Sequence, residues 1–276
     1  MVTHIPFTKM HGAGNDFILI DNRQEFFSGD ETELFRNLCR RHFGIGADGL
    51  LLIQFWHNGE FDVAFFNPDG KPAAMCGNGA RCAVYLMHLR HPGFSKFTIS
   101  FTGKKYLAEI TGKEQVRLFW EEKPQIKTDA PVENLLPGIF SNALLIDAGV
   151  PHLVVKSNIP LKKIDVAKWG KYFRNHKLFG SAGTNVNFIE TGDTGIKIRT
   201  YERGVEGETL ACGSGALAAV AAVWYWGETA SPVEVWARGG HLRVGKYGKK
   251  KILWLEGPAK KVFSGRFSRE AFEFPV

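Results

Sequence analysis

Cysteine is scarce in this sequence, four residues in 276, which excludes a disulfide framework as its source of stability. There is no Cys-x-x-Cys and no His-x3-His pair, so the usual spacing of a zinc site is missing as well. The start, Met1-Val2-Thr3-His4-Ile5-Pro6, has no charged segment leading into an apolar core, and no secretory signal is expected from it. Long hydrophobic runs are also lacking. The longest, Ala216 to Trp226, falls short of the ~20 residues that cross a bilayer. The expectation is no membrane partner and a reducing, cytoplasmic setting in which thiols stay free. Acidic residues are outnumbered, giving a net charge of +7 and a pI of about 9.2. A nucleic-acid binder would concentrate that charge. Here it is spread out, and the densest runs, Lys249-Lys250-Lys251 and Lys260-Lys261, have no interleaved aromatics. A solvated basic surface that helps to attract an anionic small molecule is expected, with no nucleic-acid partner.

What the chain does have is one pattern twice. Cys76-Gly77-Asn78-Gly79-Ala80 and Cys212-Gly213-Ser214-Gly215-Ala216 each run into an apolar, helix-forming segment. They lie about half the chain apart, and such recurrence points to two similar halves. Small residues before a helix leave backbone N–H groups pointing outward, where they can hold an anion. A cysteine placed there feels the positive end of the helix dipole, which favours its thiolate. Each copy thus combines a basic or nucleophilic sulfur with a carboxylate or phosphate cradle. Two such halves facing each other would suit removal of a proton from one face of a carbon and its return to the other. A lone cysteine is more often a small buried hydrophobe, and that reading is kept for Cys39 and Cys82, which fall within helical patterns.

The order of elements supports two halves. A strand over Phe7–Met10, a turn His11–Asp16 and a strand Phe17–Asp21 open the chain. The turn is not Gly-x-Gly-x-x-Gly and gives no support to a dinucleotide fold. A helix over Ser28–His42, capped by Ser28 or Asp30 and ended by Gly44, follows. Strands Leu50–Phe55 and Phe61–Phe66, the turn Asn67–Gly70 and the first cysteine loop come next. From Phe97 to Trp120 the alternation reads as an antiparallel meander. The Pro-containing stretch Glu121–Gly138 is the boundary. Strands Asn142–Asp147 and His152–Lys156, a helix near Asp165–Asn175, and a hairpin of Thr184–Ile189 and Gly195–Tyr201 over Thr191–Thr194 then lead to the second cysteine loop. The expected halves are residues 1–124, joined by the C-terminal segment 262–276, and residues 125–261. The segment Ala216–Trp226 is apolar nearly all round and should be buried on all sides. The fold class expected is α/β (α+β): two similar domains, each a mostly antiparallel curled sheet around a central helix, with the active site in the cleft between them.

Five motifs together carry a resemblance. These are Lys9-Met10-His11-Gly12-x-Gly-Asn15-Asp16-Phe17, Phe66-Asn67-x-Asp69-Gly70, Met75-Cys76-Gly77-Asn78-Gly79-x-Arg81, Gly183-Thr184-Asn185-Val186-Asn187-Phe188, and Glu202-Arg203-Gly204 followed by Glu208-Thr209-x-Ala211-Cys212-Gly213-Ser214-Gly215. In this order, over essentially the whole chain, they resemble the diaminopimelate epimerase family. The resemblance implies interconversion of LL- and meso-2,6-diaminopimelate in lysine and peptidoglycan synthesis, without a cofactor or metal, usually by a homodimer. It implies Cys76 and Cys212 as the two acid/base residues, with His152 and Glu202 tuning the thiols. The backbone donors of Gly77-Asn78 and Gly213-Ser214 would hold the reacting carboxylate. Arg203 would pair with the distal carboxylate, and Asn15, Asn67, Asn185 and Glu202 would fix the amines and the distal end.

The chain departs from the family pattern at three places. Many members carry Gln where this chain has Gly49, and Asn where it has Val150, and the loop Gly204–Glu208 is one residue longer than the commonest form. None of these lies at a cysteine. Two alternatives stand beside the first reading. One is a cofactor-independent racemase or epimerase of another amino acid, as in the related proline racemase group. The other is a thiol redox protein using Cys76 and Cys212.

Overall fold

The computed structural model describes residues 4–193 and 195–272. The first three residues of the N-terminal stretch read above, Thr194 of the expected hairpin turn and the last four residues of the segment 262–276 lie outside the described residues. The chain divides into two compact units. One runs up to Phe119 and resumes at Gly257, and the other is Trp120–Glu256.

In the first unit β1 (His4–Gly12) and β2 (Asn15–Asp21) form a hairpin. Helix α1 (Thr32–Cys39) crosses to β3 (Gly49–Ile53), which is parallel to β2. β4 (Glu60–Phe66) is antiparallel to β3, and the short β5 (Pro72–Ala73) to β4. Helix α2 (Gly77–Arg90) makes a second crossover to β6 (Lys96–Phe101), parallel to β4. β7 (Lys104–Gly112) and β8 (Gln115–Trp120) continue as an antiparallel meander.

The second unit repeats this order strand for strand. β9 (Gln125–Lys127) pairs antiparallel with β10 (Phe140–Asp147), and β10 with β11 (Pro151–Ser157). Helix α3 (Val166–Arg174) crosses to the parallel β12 (Asn185–Gly192). β13 (Gly195–Glu202) and the short β14 (Gly207–Thr209) follow antiparallel. Helix α4 (Gly213–Tyr225) crosses to β15 (Val233–Ala237), parallel to β13. β16 (Gly240–Tyr247) and β17 (Ile252–Pro258) finish the unit antiparallel. The chain then returns as β18 (Lys260–Ser268) beside β1, the place β9 holds beside β10.

Most pairs are antiparallel, as the alternation implied, but each helix is a crossover between two parallel strands. The β2–β3 pair escapes a reading by alternation because strands covered on both faces are apolar throughout. Phe17 to Ile20 are all buried, and so are Leu50 to Ile53. Ile18, Ile20, Leu50 and Leu52 form one core with Leu34, Phe35 and Leu38 of α1. Phe17 and Leu51 point the other way and meet α2 at Gly79. In the second unit Val155, Val186 and Phe188 pack with Phe140, and with Val166 and Phe173 of α3.

Helices α2 and α4 are the central ones. α2 packs on β1, β2, β3, β6, β7 and β18, and α4 on β10, β11, β12, β13 and β16. A sheet that reaches one helix from so many strands is curled around it. All residues of α2 from Asn78 to Met87 are buried, so burial rather than an amphipathic stripe or intrinsic propensity stabilises it. The all-round burial expected for Ala216–Trp226 holds through Val223 apart from half-buried Ala221, but Tyr225 emerges at 55% exposure.

The start of α1 corrects the sequence reading. The helix begins at Thr32, and neither Ser28 nor Asp30 caps it. Glu31 occupies the N-cap, and its carboxylate accepts the N–H groups of Ser28 at 3.0 Å and Gly29 at 2.9 Å. The Ser28 hydroxyl accepts the Asp30 N–H. These side-chain bonds satisfy the segment as a turn, so it does not extend the helix. The helix ends at Cys39, ahead of the turn that contains Gly44.

Candidate functional site

The two cysteines occupy the same position of equivalent helices. Cys76 is the N-cap of α2 with φ −115° and ψ 117°, and Cys212 is the N-cap of α4 with φ −118° and ψ 117°. The Cys76 carbonyl accepts the Ala80 N–H at 2.8 Å, and the Cys212 carbonyl accepts that of Ala216 at 2.9 Å. Neither sulfur caps its helix. The first-turn N–H groups, on Gly77-Asn78-Gly79 and Gly213-Ser214-Gly215, are those a helix leaves without intrahelical partners, and they carry the positive end of its dipole. Close approach is built in. A Cβ on Gly215 would sit 2.4 Å from Asn187 Oδ1 and 3.3 Å from Cys212 Sγ.

Around Cys76 a chain of polar side chains has a fixed direction. The Cys76 thiol donates to Asn15 Oδ1 at 3.7 Å. Asn15 Nδ2 donates to Asp48 Oδ2 at 2.8 Å, and Asn78 Nδ2 donates to Asn15 Oδ1 at 3.2 Å. Arg81 Nη2 donates to Asn78 Oδ1 at 2.7 Å. Arginine can only donate and an ionised aspartate only accept, so the amides of Asn15 and Asn78 can point only one way. Asp48 and Asp16 are held in turn by Arg41, at 2.8 and 2.6 Å, and Lys9 pairs with Asp16 at 2.7 Å. Burial alone would raise the Asp16 carboxyl, but the bonds and charges of Arg41 and Lys9 outweigh it and hold the carboxyl below its usual value.

Arg81 is fully buried. It also donates to Gly77 O at 3.3 Å and to Pro258 O at 3.4 Å. Burial lowers its guanidinium pKa to about 10 against the opposing pull of Cys82 and Cys76, so it stays cationic at neutral pH and adds positive charge next to the Cys76 loop.

Around Cys212 the network is different. Its sulfur lies 3.5 Å from Ser214 Oγ, and Ser214 Oγ lies 3.0 Å from His152 Nε2. His152 Nδ1 lies 3.1 Å from Asn187 Nδ2, and Thr200 Oγ1 donates to Asn187 Oδ1 at 3.0 Å. His152 is wholly buried, and burial, reinforced by the charge of Arg203, lowers its pKa to about 3. Asn185 Oδ1 accepts the Arg203 backbone N–H at 2.8 Å. Glu202 accepts a short hydrogen bond from the Thr209 hydroxyl.

Cys76, Asn15, Gly77 and Asn78 are therefore brought together in the first unit. Cys212, Gly213, Ser214 and His152 come together in the second, with Asn185 joined to Arg203. Asn67 is not joined to either group by a hydrogen bond. It is exposed in the turn between β4 and β5, its backbone bonding Gly70 and Lys71. Cys39 and Cys82 are buried at 3% and 0% exposure. Burial pushes the Cys39 thiol up to about 12 and the Cys82 thiol higher still, so both stay protonated.

The Gly49 departure has a local cause. A Cβ there would lie 2.6 Å from the ring of Phe65 and 2.9 Å from Phe66 O, so the neighbouring strand already fills the space. Val150 lies just after Gly149, whose φ is +92°, and its carbonyl accepts the Ala148 N–H.

Sequence reasoning gave no role to Arg81, Asp48, Asn187 or Thr200. Arg81 and Asn187 lie inside recognised motifs, and the i, i+2 repeat of Asn185 and Asn187 on β12 was a usable sign that both face one side. Among the described residues no group of three or more His, Cys, Asp or Glu side chains is placed to hold a metal, and no helix is long and apolar enough to cross a membrane.

A sequence model described as diaminopimelate epimerase matches residues 7–124 and 144–262. The chain belongs to the diaminopimelate epimerase family. It is 41% identical over 261 residues to the diaminopimelate epimerase of Chlorobaculum tepidum, covering 93% of this chain and 98% of that one. It is 39% identical over 283 residues to that of Aquifex aeolicus, covering 97% and 99%. Family membership makes it an isomerase of the epimerase kind. The same fold occurs in a Bacillus anthracis phenazine biosynthesis protein of the PhzF family, with a TM-score of 0.71 at 14% identity, covering 96% of this chain and 99% of that one. It occurs again in a probable proline racemase from Agrobacterium radiobacter, with a TM-score of 0.65 at 14% identity, covering 98% and 94%. These comparisons give no support to the thiol redox alternative.

Proposed function

We propose that the protein epimerises LL-2,6-diaminopimelate to the meso form without a cofactor, using Cys76 and Cys212 as the two proton-transfer groups. The observation that carries this reading is the matched placement of two half-buried thiols at the N-termini of equivalent helices. One sulfur, as thiolate, takes the α-proton and becomes a thiol. The electron pair left on the carbon delocalises into the carboxylate, which the first-turn N–H groups of Gly77-Asn78 and Gly213-Ser214 stabilise. The other thiol then delivers its proton to the opposite face and becomes the thiolate. The two sulfurs exchange roles in each turnover, so the reverse reaction needs nothing further.

Arg203 is the proposed partner of the distal carboxylate, since a guanidinium suits bidentate binding of that group. Asn15, Asn67, Asn185 and Glu202 are the proposed contacts for the amines and the distal end. His152 and Glu202 are the proposed tuning groups of the thiols. The family relationship further supports a homodimer acting in the cytoplasm.

Proton NMR of LL-diaminopimelate with reduced protein in D2O, no cofactor added, tests the reading. Loss of the α-proton signal together with appearance of the meso form is expected. Absence of both from protein with alkylatable Cys76 and Cys212 overturns the substrate assignment.

A further inference from the structure

The direction of the hydrogen bonds leading to Cys212 can be read from its far end. Asn187 Nδ2 lies 3.4 Å from the Leu153 carbonyl, which can only accept, and Asn187 Oδ1 takes the Thr200 hydroxyl. The amide orientation is thereby set, and Nδ2 is the group facing His152 Nδ1. Nδ1 must then be the acceptor. A neutral imidazole with an accepting Nδ1 carries its proton on Nε2, and Nε2–H points at Ser214 Oγ. Because the hydroxyl oxygen takes that proton donor, its own O–H is left to turn to the Cys212 sulfur.

We propose that Ser214 is a positioning residue for Cys212: its side-chain hydroxyl donates to the sulfur and holds it in the thiolate form, with the direction of the relay set by Asn187 through His152. The inference rests on the epimerase reading only for the use made of that thiolate. Burial keeps His152 neutral, as the relay requires. Among the described residues, the charge that acts on His152 is that of Arg203, and its effect is to disfavour imidazolium. Lys156 is engaged with Glu228, Lys197 with Glu190, and Arg199 with Glu208. On β16, His241 and Arg243 pair with Glu234, and Lys246 lies over the Trp224 ring. Asp147 of β10 accepts the Gly149 N–H, and Glu202 at the end of β13 accepts from Thr209. At Cys76, by contrast, Asn15 Oδ1 is an acceptor facing the sulfur.

The test is the pH dependence of iodoacetamide alkylation in the full-length reduced protein, read peptide by peptide by mass spectrometry. Removing one hydrogen bond to a charged sulfur should move the half-maximal pH for Cys212 upward by roughly one to two units in Ser214→Ala. Ser214→Thr, which keeps the hydroxyl, should retain the wild-type profile. Asn187→Asp places an acceptor against Nδ1, moves the imidazole proton there and reverses the relay, so it should shift Cys212 in the same direction as Ser214→Ala. Cys76 should keep its profile throughout, and Cys39 and Cys82 should stay unmodified. An unchanged Cys212 profile in Ser214→Ala overturns the proposal, as does a shift in Ser214→Thr equal to that in Ser214→Ala. If Ser214→Ala exposes Cys39 or Cys82 it has unfolded, and an unchanged Cys212 profile in Asn187→Asp is then the overturning result. No substrate is involved, so failure of the relay and failure of the epimerase reading are separate outcomes.

Discussion

Cys76 and Cys212 have backbone angles within a few degrees of each other, φ −115° and −118° with ψ 117° in both, yet their sulfurs meet different chemistry. Cys76 faces an amide oxygen and Cys212 a hydroxyl. The backbone of the repeat is symmetric, and its side-chain surroundings are not. In a two-base reaction neither sulfur can replace the other. Cys76→Ala and Cys212→Ala are each expected to lower turnover by at least about 10²–10⁴-fold with circular dichroism unchanged. Near-full turnover in either variant would exclude the two-thiol mechanism.

Arg81 is a buried cation whose donors are taken by Asn78 Oδ1, Gly77 O and Pro258 O. Arg81→Met keeps much of the volume but leaves those acceptors without their donor. Each buried group left unpaired costs about 1–3 kcal/mol, so a loss on the order of 3 kcal/mol is expected. Urea unfolding would measure it, and a loss below ~1 kcal/mol would mean that water replaces the guanidinium.

His152 links stability to pH. Its folded value is near 3, and an unfolded histidine titrates near ~6.5. Between these limits the unfolded chain binds a proton that the folded protein excludes. Stability from this group is complete above the upper limit and falls as pH drops, by up to about 1.4 kcal/mol per pH unit. His152→Gln should flatten that slope. Urea midpoints at pH 7 and pH 5 for both proteins check this, and equal slopes would place the acid sensitivity elsewhere.

At Gly49 the contact with Phe65 makes two positions interdependent. Gly49→Gln overpacks the start of β3 and should cost about 1–3 kcal/mol. Phe65→Ala should cost about 3–5 kcal/mol alone through the cavity it leaves. Combined, the two should cost clearly less than their sum, because the new side chain can enter the vacated space. Strict additivity would show that Phe65 is not what excludes a side chain at this position.

Much of this architecture was visible in the residues themselves. Glycines flanking Cys76 and Cys212 marked both helix starts, and the recurrence at half-length marked the repeated unit. Asp165 marks the start of α3 in the sequence, and its side chain does accept the Lys168 N–H. Glu31 was missed because its carboxylate binds back into the preceding turn, which no forward-looking cap pattern describes. Arg81 belongs to the Cys76 motif, but its role is not legible there, since arginine is rarely buried whole. Its partner Pro258 is 177 positions away, and Asn15 meets Asp48 across 33, distances over which local pattern carries no information. The parallel pairing of β2 with β3 was hidden for a related reason. A strand covered on both faces has no alternation to read.

The pairing of β1 with β18 has a consequence for how the molecule is made. A ribosome delivers β1 long before β18, so the unit that contains Cys76 must wait until the whole of the other unit has been made to gain that strand and the Pro258 carbonyl that receives Arg81. The unit that contains Cys212 is one uninterrupted stretch, Trp120–Glu256, and has all its strands sooner. Vectorial synthesis thus orders the two equivalent units in time: the unit whose first strand emerges later is the one whose set of strands is complete sooner.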